Sequence, residues 1–580
     1  MRNFLVFLLP LMAACSSSSL SKVPAIDPSV REVTIAPREQ VEAHGKKWMV
    51  STQGKYATQA ALEVLRQGGN VIDAAITASL VIGVERPQST GIGGGGFLIY
   101  HEAKTGHNYV VDFRERAPLR ASPKMYLDSK GNGVPDLSEV GSLSIGVPGV
   151  VRGLRFLHTH WASRKWNDLV EPARKLAEKG FPVYSTLEIA LQEMAPDLAK
   201  YPESKSTFLH ADGTPLALGE RLTQKNLART LERLERKPDD LYRGLIARKI
   251  AASVRRHGGM LSVKDLRQYT VKERAPVETV WRGYHVVSMP PPSSGGIHVI
   301  QILKMLEHDD LAKLGFLSPQ ALHLEASAMQ QAFADRAKYL GDPEFVKVPV
   351  HGLIADDYLQ GLRAKFDAHH ARKASDVFAG NPVPDDEQNT SHLTIMDEEG
   401  NTVVTTQTVN GYFGSGIVAE GTGIVLNDEM DDFAAKPGAS NMFGATATTT
   451  ANQVEPKKTP LSSMSPTIVF RNGKPVLALG APGGTRIITA VAQTILNRLA
   501  FHRDLYDAIA APRIHEQWQP DVLSIENRKL PSGLISDLMD MGWAIRRIPG
   551  QSNVMAVARE ESGELIGVAD PRDIGTSAGD

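Results

Sequence analysis

The run Asn389-Thr390-Ser391-His392-Leu393-Thr394 sets a hydroxyl where a polar, acidic stretch, Asp385 to Asn389, meets a strand-like stretch, His392 to Met396. A threonine hydroxyl is a weak nucleophile at neutral pH. At a chain terminus it gains a neighbouring base, its own α-amine, with an ordinary pKa of about 7.7–8.0. A cut between Asn389 and Thr390 would create that base and hold it on a rigid element. Other chemical signals are weaker. Gly91 to Gly96 formally contains GxGxxG, but strand-like Phe97 to Tyr100 follows where a dinucleotide site needs a helix, so close backbone packing is the expectation. His369-His370 and His515 have no cysteine or acidic partners at metal-ligand spacing and read as exposed or capping histidines. No metal and no cofactor are expected.

The elements that must position Thr390 are a mixture of helices and strands. Residues 16–43 are rich in Ser, Pro and charge without periodicity and read as a tether, with the folded body starting near Gly45. Ala57 to Gln67 has helical spacing, stops at Gly68-Gly69, and is followed by a second apolar helix from Val71. Phe97 to Tyr100 and Tyr109 to Phe113 read as strands, and Trp166 to Ile250 as amphipathic helices broken by loops. Strand signals return over His392 to Leu426 and Thr467 to Leu479, with a helix from Ile487 to Leu499.

The 580 residues are 42% hydrophobic and 22% charged, ordinary values for a chain with a substantial core. With 64 basic and 65 acidic residues the formal charge is -1, so no nucleic acid partner is expected. Arg2, an apolar run from Phe4 to Met12, and Ala13-Ala14-Cys15 before four serines have the layout of a secretory signal. The run is shorter than the roughly 20 residues a spanning helix needs. The small residues before Cys15 resemble a bacterial lipobox, so residues 1–15 predict export to the periplasm with a lipid anchor at Cys15, or ordinary signal cleavage nearby. Cys15 is the only cysteine, which excludes an internal disulfide.

The motif at Thr390 resembles the T-[ST]-H-x-[ST] signature that opens the small subunit of γ-glutamyltransferases. Five further segments stand in that family's order: Asp112-Phe113-Arg114-Glu115, MPPPSSGG from Met289, NDEMDDF from Asn427, PLSSMSP from Pro460 and GAPGGTRI from Gly480. The resemblance spans about Gly45 to Arg572. It implies an α/β fold, the four-layer αββα sandwich of N-terminal-nucleophile hydrolases, cut into a large subunit of residues 44–389 and a small subunit of residues 390–580 that stay together as a heterodimer. In the family's pattern the Thr390 hydroxyl attacks the Asn389 carbonyl, an N-to-O acyl shift gives an ester, and hydrolysis frees the amine. Thr408 matches the threonine that orients the nucleophile. The implied reaction takes the γ-glutamyl group from glutathione or another γ-glutamyl donor and passes it to water, an amino acid or a dipeptide.

Such a donor carries an α-carboxylate and an α-ammonium. Arg114 can take the first in a two-point, charge-assisted contact, with hydroxyls from Ser462 and Ser463. Asn410, Glu429 and Asp432 match the amine-binding positions. Gly483 and Gly484, lacking Cβ atoms, let backbone N–H groups approach the oxyanion of the tetrahedral intermediate. Asn441 to Thr450 matches the family's lid, with Phe443 where related bacterial sequences have Tyr, which removes the hydroxyl of a hydrogen-bonded latch. Two alternatives remain at this stage: an acylase of the cephalosporin or poly-γ-glutamate type, and an inactive peptide-binding surface lipoprotein.

Overall fold

The computed structural model describes residues 30–134, 136–383, 394–550 and 552–580. Cys15, Asn389, Thr390 and the residues up to Leu393 lie outside the described residues.

Two seven-stranded sheets form the centre. The first runs edge to edge through Glu42–Gly45, Leu565–Ala569, Met555–Arg559, Lys474–Gly480, Thr467–Arg471, Tyr284–Ser288 and Val277–Trp281. The second runs through Thr576–Gly579, Trp48–Thr52, Thr394–Asp397, Thr402–Thr408, Gly95–Glu102, His107–Asp112 and Lys272–Arg274. Every pairing in both sheets is antiparallel. Segments from before and after Thr390 interleave in both. The strand that opens just beyond Thr390, Thr394–Asp397, is therefore internal, clamped between Trp48–Thr52 and Thr402–Thr408.

Antiparallel sheets usually show one wet face and an alternating sequence, but these strands are apolar at consecutive positions. The packing explains why. In Gly95–Glu102, Phe97 and Ile99 enter the core between the sheets, while Leu98 and Tyr100 point to an outer helical layer. Ile395 with Val403 and Met396 with Val404 divide in the same way. The outer layer on the second sheet includes Lys55–Arg66 and Val71–Glu85, and that on the first includes Gly295–Met305 and Arg486–Ile495. The result is the four-layer αββα sandwich.

Local chemistry sets the helix ends. Gly68 adopts φ +83° after the first helix, a conformation costly for a side chain. Asn70 caps the second by accepting from the amides of Ile72 and Asp73, and Asp73 returns a bond from the Asn70 amide at 2.9 Å. At its other end Glu85 accepts from the amides of Tyr56 and Ala57, which fixes the pair antiparallel. The glycine run is close packing, as expected: a Cβ on Gly93, Gly94 or Gly96 would strike the carbonyls of Val425, Thr408 or Thr406.

Two features depart from the sequence reading, and one long helix left no signal in it. Glu42–Gly45 belongs to the first sheet, and the amides of Val33 and Ala36 donate to Asn527 and Pro571 carbonyls, so the end of the expected tether is built into the body. An edge strand this short leaves no periodic signal. His515 is buried, not exposed, because Thr489 and Gln517 satisfy its two ring nitrogens at 3.0 and 2.8 Å. The helix Pro319–Tyr339, capped by Ser318, is buried over most of its length, so it shows no polar stripe. Among the described residues no helix is long and apolar enough to cross a membrane.

Candidate functional site

A cavity of about 720 Å³ is lined by all nine described residues singled out from the sequence: Arg114, Thr408, Asn410, Glu429, Asp432, Ser462, Ser463, Gly483 and Gly484. They come from strand ends and the loops that follow. Thr408 ends its strand opposite Gly95, and its hydroxyl accepts from the Asn410 amide at 2.8 Å. Asn410 takes φ +79°, and its side chain donates to the Asp428 carbonyl. The turn Glu429–Asp432 is anchored by Asn427, whose side chain accepts from the amides of Gly146 and Glu429 and donates to the carbonyls of Gly93 and Gly146.

Arg114 is 1% exposed, and its backbone is held by Asp112 on one side and the Tyr269 hydroxyl on the other. Its guanidinium donates to Glu429 and, at 2.5 Å, to Asp432. The cation and the two anions expected to grip opposite ends of one ligand are thus bound to each other. A buried cation without a partner is very costly, and the nearby acids supply that partner. Burial lifts Glu429 to about 7, with Arg114 pulling down and Asp432 pushing up. Burial also raises Asp432 against the opposing pull of Arg114.

Glu115 is fully buried beside Glu429, and burial together with the charge of Glu429 holds it well above the carboxylate range. Crowding two carboxyls out of solvent favours keeping one of them protonated.

The segments MPPPSSGG and PLSSMSP form one unit. Ser293 bridges to Ser462, Ser294 donates to the Ser462 carbonyl at 2.8 Å, and Ser293 donates to the Met464 carbonyl at 2.8 Å. Arg336, from the Pro319–Tyr339 helix, reaches the same unit and donates to the hydroxyls of Ser294 at 3.0 Å and Ser463 at 3.3 Å. Burial lowers it to about 10, while the charge of Asp432 acts the other way.

Gly483 and Gly484 turn the chain from Lys474–Gly480 into Arg486–Ile495 with φ +128° and +59°. Among the described residues their amides donate to no protein acceptor. Phe443 rests on this turn: a Cβ on Gly484 would collide with its ring. The segment from Asn441 that holds Phe443 is fastened without a tyrosine. Asn441 donates to Asp432 at 2.9 Å, the Met442 amide to Asp431 at 2.9 Å, and the Gln517 side chain to the Gly444 carbonyl at 3.0 Å.

Sequence reasoning missed Glu115, Arg336 and Gln517. Glu115 carried a signal, an acid directly after the chosen arginine at a strand end. Arg336 carried a fainter one, a lone guanidinium between small residues in Ala334-Asp335-Arg336-Ala337. Nothing in the sequence joined Gln517 to Gly444, 73 residues away.

The family described as Gamma-glutamyltranspeptidase matches residues 57–580. The glutathione hydrolase proenzyme of Escherichia coli strain K12 is 39% identical over 561 residues, covering 96% of this chain and 95% of that protein. Among solved structures, cephalosporin acylase from Bacillus halodurans has a TM-score of 0.81 at 25% identity, covering 97% of this chain and 99% of that one. Helicobacter pylori gamma-glutamyltranspeptidase has a TM-score of 0.56 at 37% identity, covering 60% of this chain and 96% of that one. The sandwich, with its site at the strand ends, is that of an N-terminal-nucleophile hydrolase. Within that class the chain belongs to the γ-glutamyltranspeptidase family.

Proposed function

We propose that the chain is an exported, self-cleaving γ-glutamyl hydrolase and transferase that acts on glutathione and other γ-glutamyl compounds. Thr390 cuts the bond after Asn389 and then attacks the γ-carbonyl of the donor. The freed α-amine accepts the hydroxyl proton, a γ-glutamyl ester forms on Thr390, and the leaving amine departs. Water, an amino acid or a peptide amine then takes the group. The large and small subunits remain locked by their interleaved strands, and Cys15 carries the lipid anchor.

The observation that carries this reading is the buried ion-pair cluster of Arg114 with Glu429 and Asp432 in the common cavity. A ligand with a carboxylate and an ammonium on one carbon can enter by exchange. Its carboxylate replaces the acids at Arg114, with Ser462 and Ser463 beside it, and its ammonium replaces Arg114 at the acids. Charge is conserved and no ion is left unpaired. The free amides of Gly483 and Gly484 supply donors for the oxyanion, each typically worth about 2.7–4 kcal/mol of barrier. Thr390 lies four residues before Thr394, so its reach from the fixed strand is at most about 14 Å. Thr408 ends the adjacent strand and serves to orient it.

The full-length likeness to a cephalosporin acylase favours an acylase as the second reading. That activity uses the same nucleophile but has no need for paired sites for an α-carboxylate and an α-ammonium. Product analysis with γ-glutamyl-p-nitroanilide, with and without glycylglycine, separates the two. Release of p-nitroaniline together with γ-glutamyl-glycylglycine is expected. An enzyme that spares this donor and cleaves only side-chain amides lacking the ammonium overturns the proposal. Mass spectrometry of the purified chain tests the cut: two fragments, the second beginning at Thr390, are expected from the wild type. The Thr390→Ala variant is expected to remain whole and inactive.

A further inference from the structure

A second cavity, of about 560 Å³, opens on the N-terminal part of the chain, against the helix Val150–His160 and the turn Asp240–Arg243. Four arginines line it, Arg152, Arg155, Arg243 and Arg267, against one carboxylate, Asp239. That carboxylate is shared, taking Arg152 at 2.6 Å and Arg243 at 3.4 Å. Arg155 lies over the Trp166 ring with its Nη1 2.8 Å from His158 Nδ1, and neither it nor Arg267 forms an ion pair among the described residues. Four positive charges less one negative charge leave the lining three units positive.

Two donors in this wall are left over. Nε and Nη2 of Arg152 are buried and have no acceptor among the described residues. Buried guanidinium N–H groups are ordinarily paired, and these two instead lie against the Tyr242 ring, so among the described residues the Arg152 charge is met by Asp239 alone. The arginine is also fixed in place. Its guanidinium lies 4.2 Å from the Tyr242 ring centre, and its own amide donates to the Tyr242 hydroxyl at 3.0 Å. Tyr242 in turn stacks on Tyr269.

We propose that this cavity binds a phosphate group, carried by a small phosphorylated compound or by an anionic lipid headgroup. Arginine forks match tetrahedral oxyanions through parallel N–H contacts, and the unbalanced charge suits a multiply charged group better than a single carboxylate. The cavity shares no lining residue with the γ-glutamyl site, so the assignment does not rest on the reaction proposed above.

Titration calorimetry on the full chain in phosphate-free buffer at physiological salt, with inorganic pyrophosphate as probe, tests it. One saturable site is expected in the wild type. The double variant Arg152→Gln/Arg155→Gln is expected to bind at least about tenfold more weakly, with turnover of γ-glutamyl-p-nitroanilide unchanged. Lys47→Gln/Arg471→Gln, an equal loss of charge elsewhere on the surface, is expected to bind as the wild type does. Absence of saturable heat in the wild type, or equal weakening in both double variants, overturns the site. Co-sedimentation with phosphatidylglycerol vesicles distinguishes the sources: capture that pyrophosphate reverses assigns the headgroup, and no capture alongside pyrophosphate binding assigns a soluble phosphate compound.

Discussion

The Arg114 guanidinium meets the Asp432 carboxylate at 2.5 Å inside the protein, and Glu429 completes the pairing from the other side. Each acid that holds the donor's ammonium makes a hydrogen bond to a charged group, worth about 1.5–3 kcal/mol. Asp432→Asn is therefore expected to raise KM for a γ-glutamyl donor by about one to two orders of magnitude, while Glu429 still pairs with Arg114. Arg114→Lys keeps the charge but loses the planar fork, and is expected to raise KM while leaving self-cleavage intact. The combined variant is expected to lose less than the sum of the two. Steady-state kinetics and a denaturing gel read all three, and unchanged kcat/KM in the single variants would take this pair out of substrate binding.

Glu429 is lifted from 4.5 to about 7 by burial, so folding favours its neutral form. The sign follows from that: this contribution to stability is complete below about pH 4.5 and is lost as pH rises through about 7. Thermal unfolding is expected to show Tm falling across that interval, with a shallower fall in Glu429→Gln. The ionised form is the one that holds an ammonium. KM for the donor is therefore expected to drop as pH rises through about 7, and this dependence should flatten in the same variant. An identical KM profile in Glu429→Gln would assign the titration to another group.

Gly484 has room for no Cβ because the Phe443 ring already occupies that space. Gly484→Ala is expected to lower kcat about 10²–10³-fold by shifting an oxyanion donor and lifting the lid. Adding Phe443→Ala removes the collision, so partial recovery of kcat is expected in the double variant. No recovery at all would mean that the backbone amide alone accounts for the loss and the lid contact contributes nothing.

The proposed export signal and lipid anchor make a cellular prediction. Cys15→Ser is expected to move the protein from the membrane fraction to the soluble periplasmic fraction with kcat unchanged, since stable anchoring needs more than one acyl chain and a lipobox cysteine carries several. A wild type already soluble after fractionation would replace lipidation with simple cleavage of the signal.

The resemblance to one family's motifs, in order along the chain, chose the nine cavity residues, and chemistry gives the reason for their types: a planar cation for a carboxylate, acids for an ammonium, glycines where an amide must come close. The two glycine-bounded helices were legible for a similar reason, since Gly68 and Asn70 act through their nearest neighbours. Tertiary structure decided whatever depends on distant partners. His515 looks like a surface histidine until Thr489 and Gln517 satisfy its ring, and Arg336 joins Ser463 across 127 positions of sequence. Only the folded arrangement could show Arg114 gripping the acids proposed for the other end of the donor. Pairing of buried charges is set by distance and solvent exclusion, and neither is a property of any one segment.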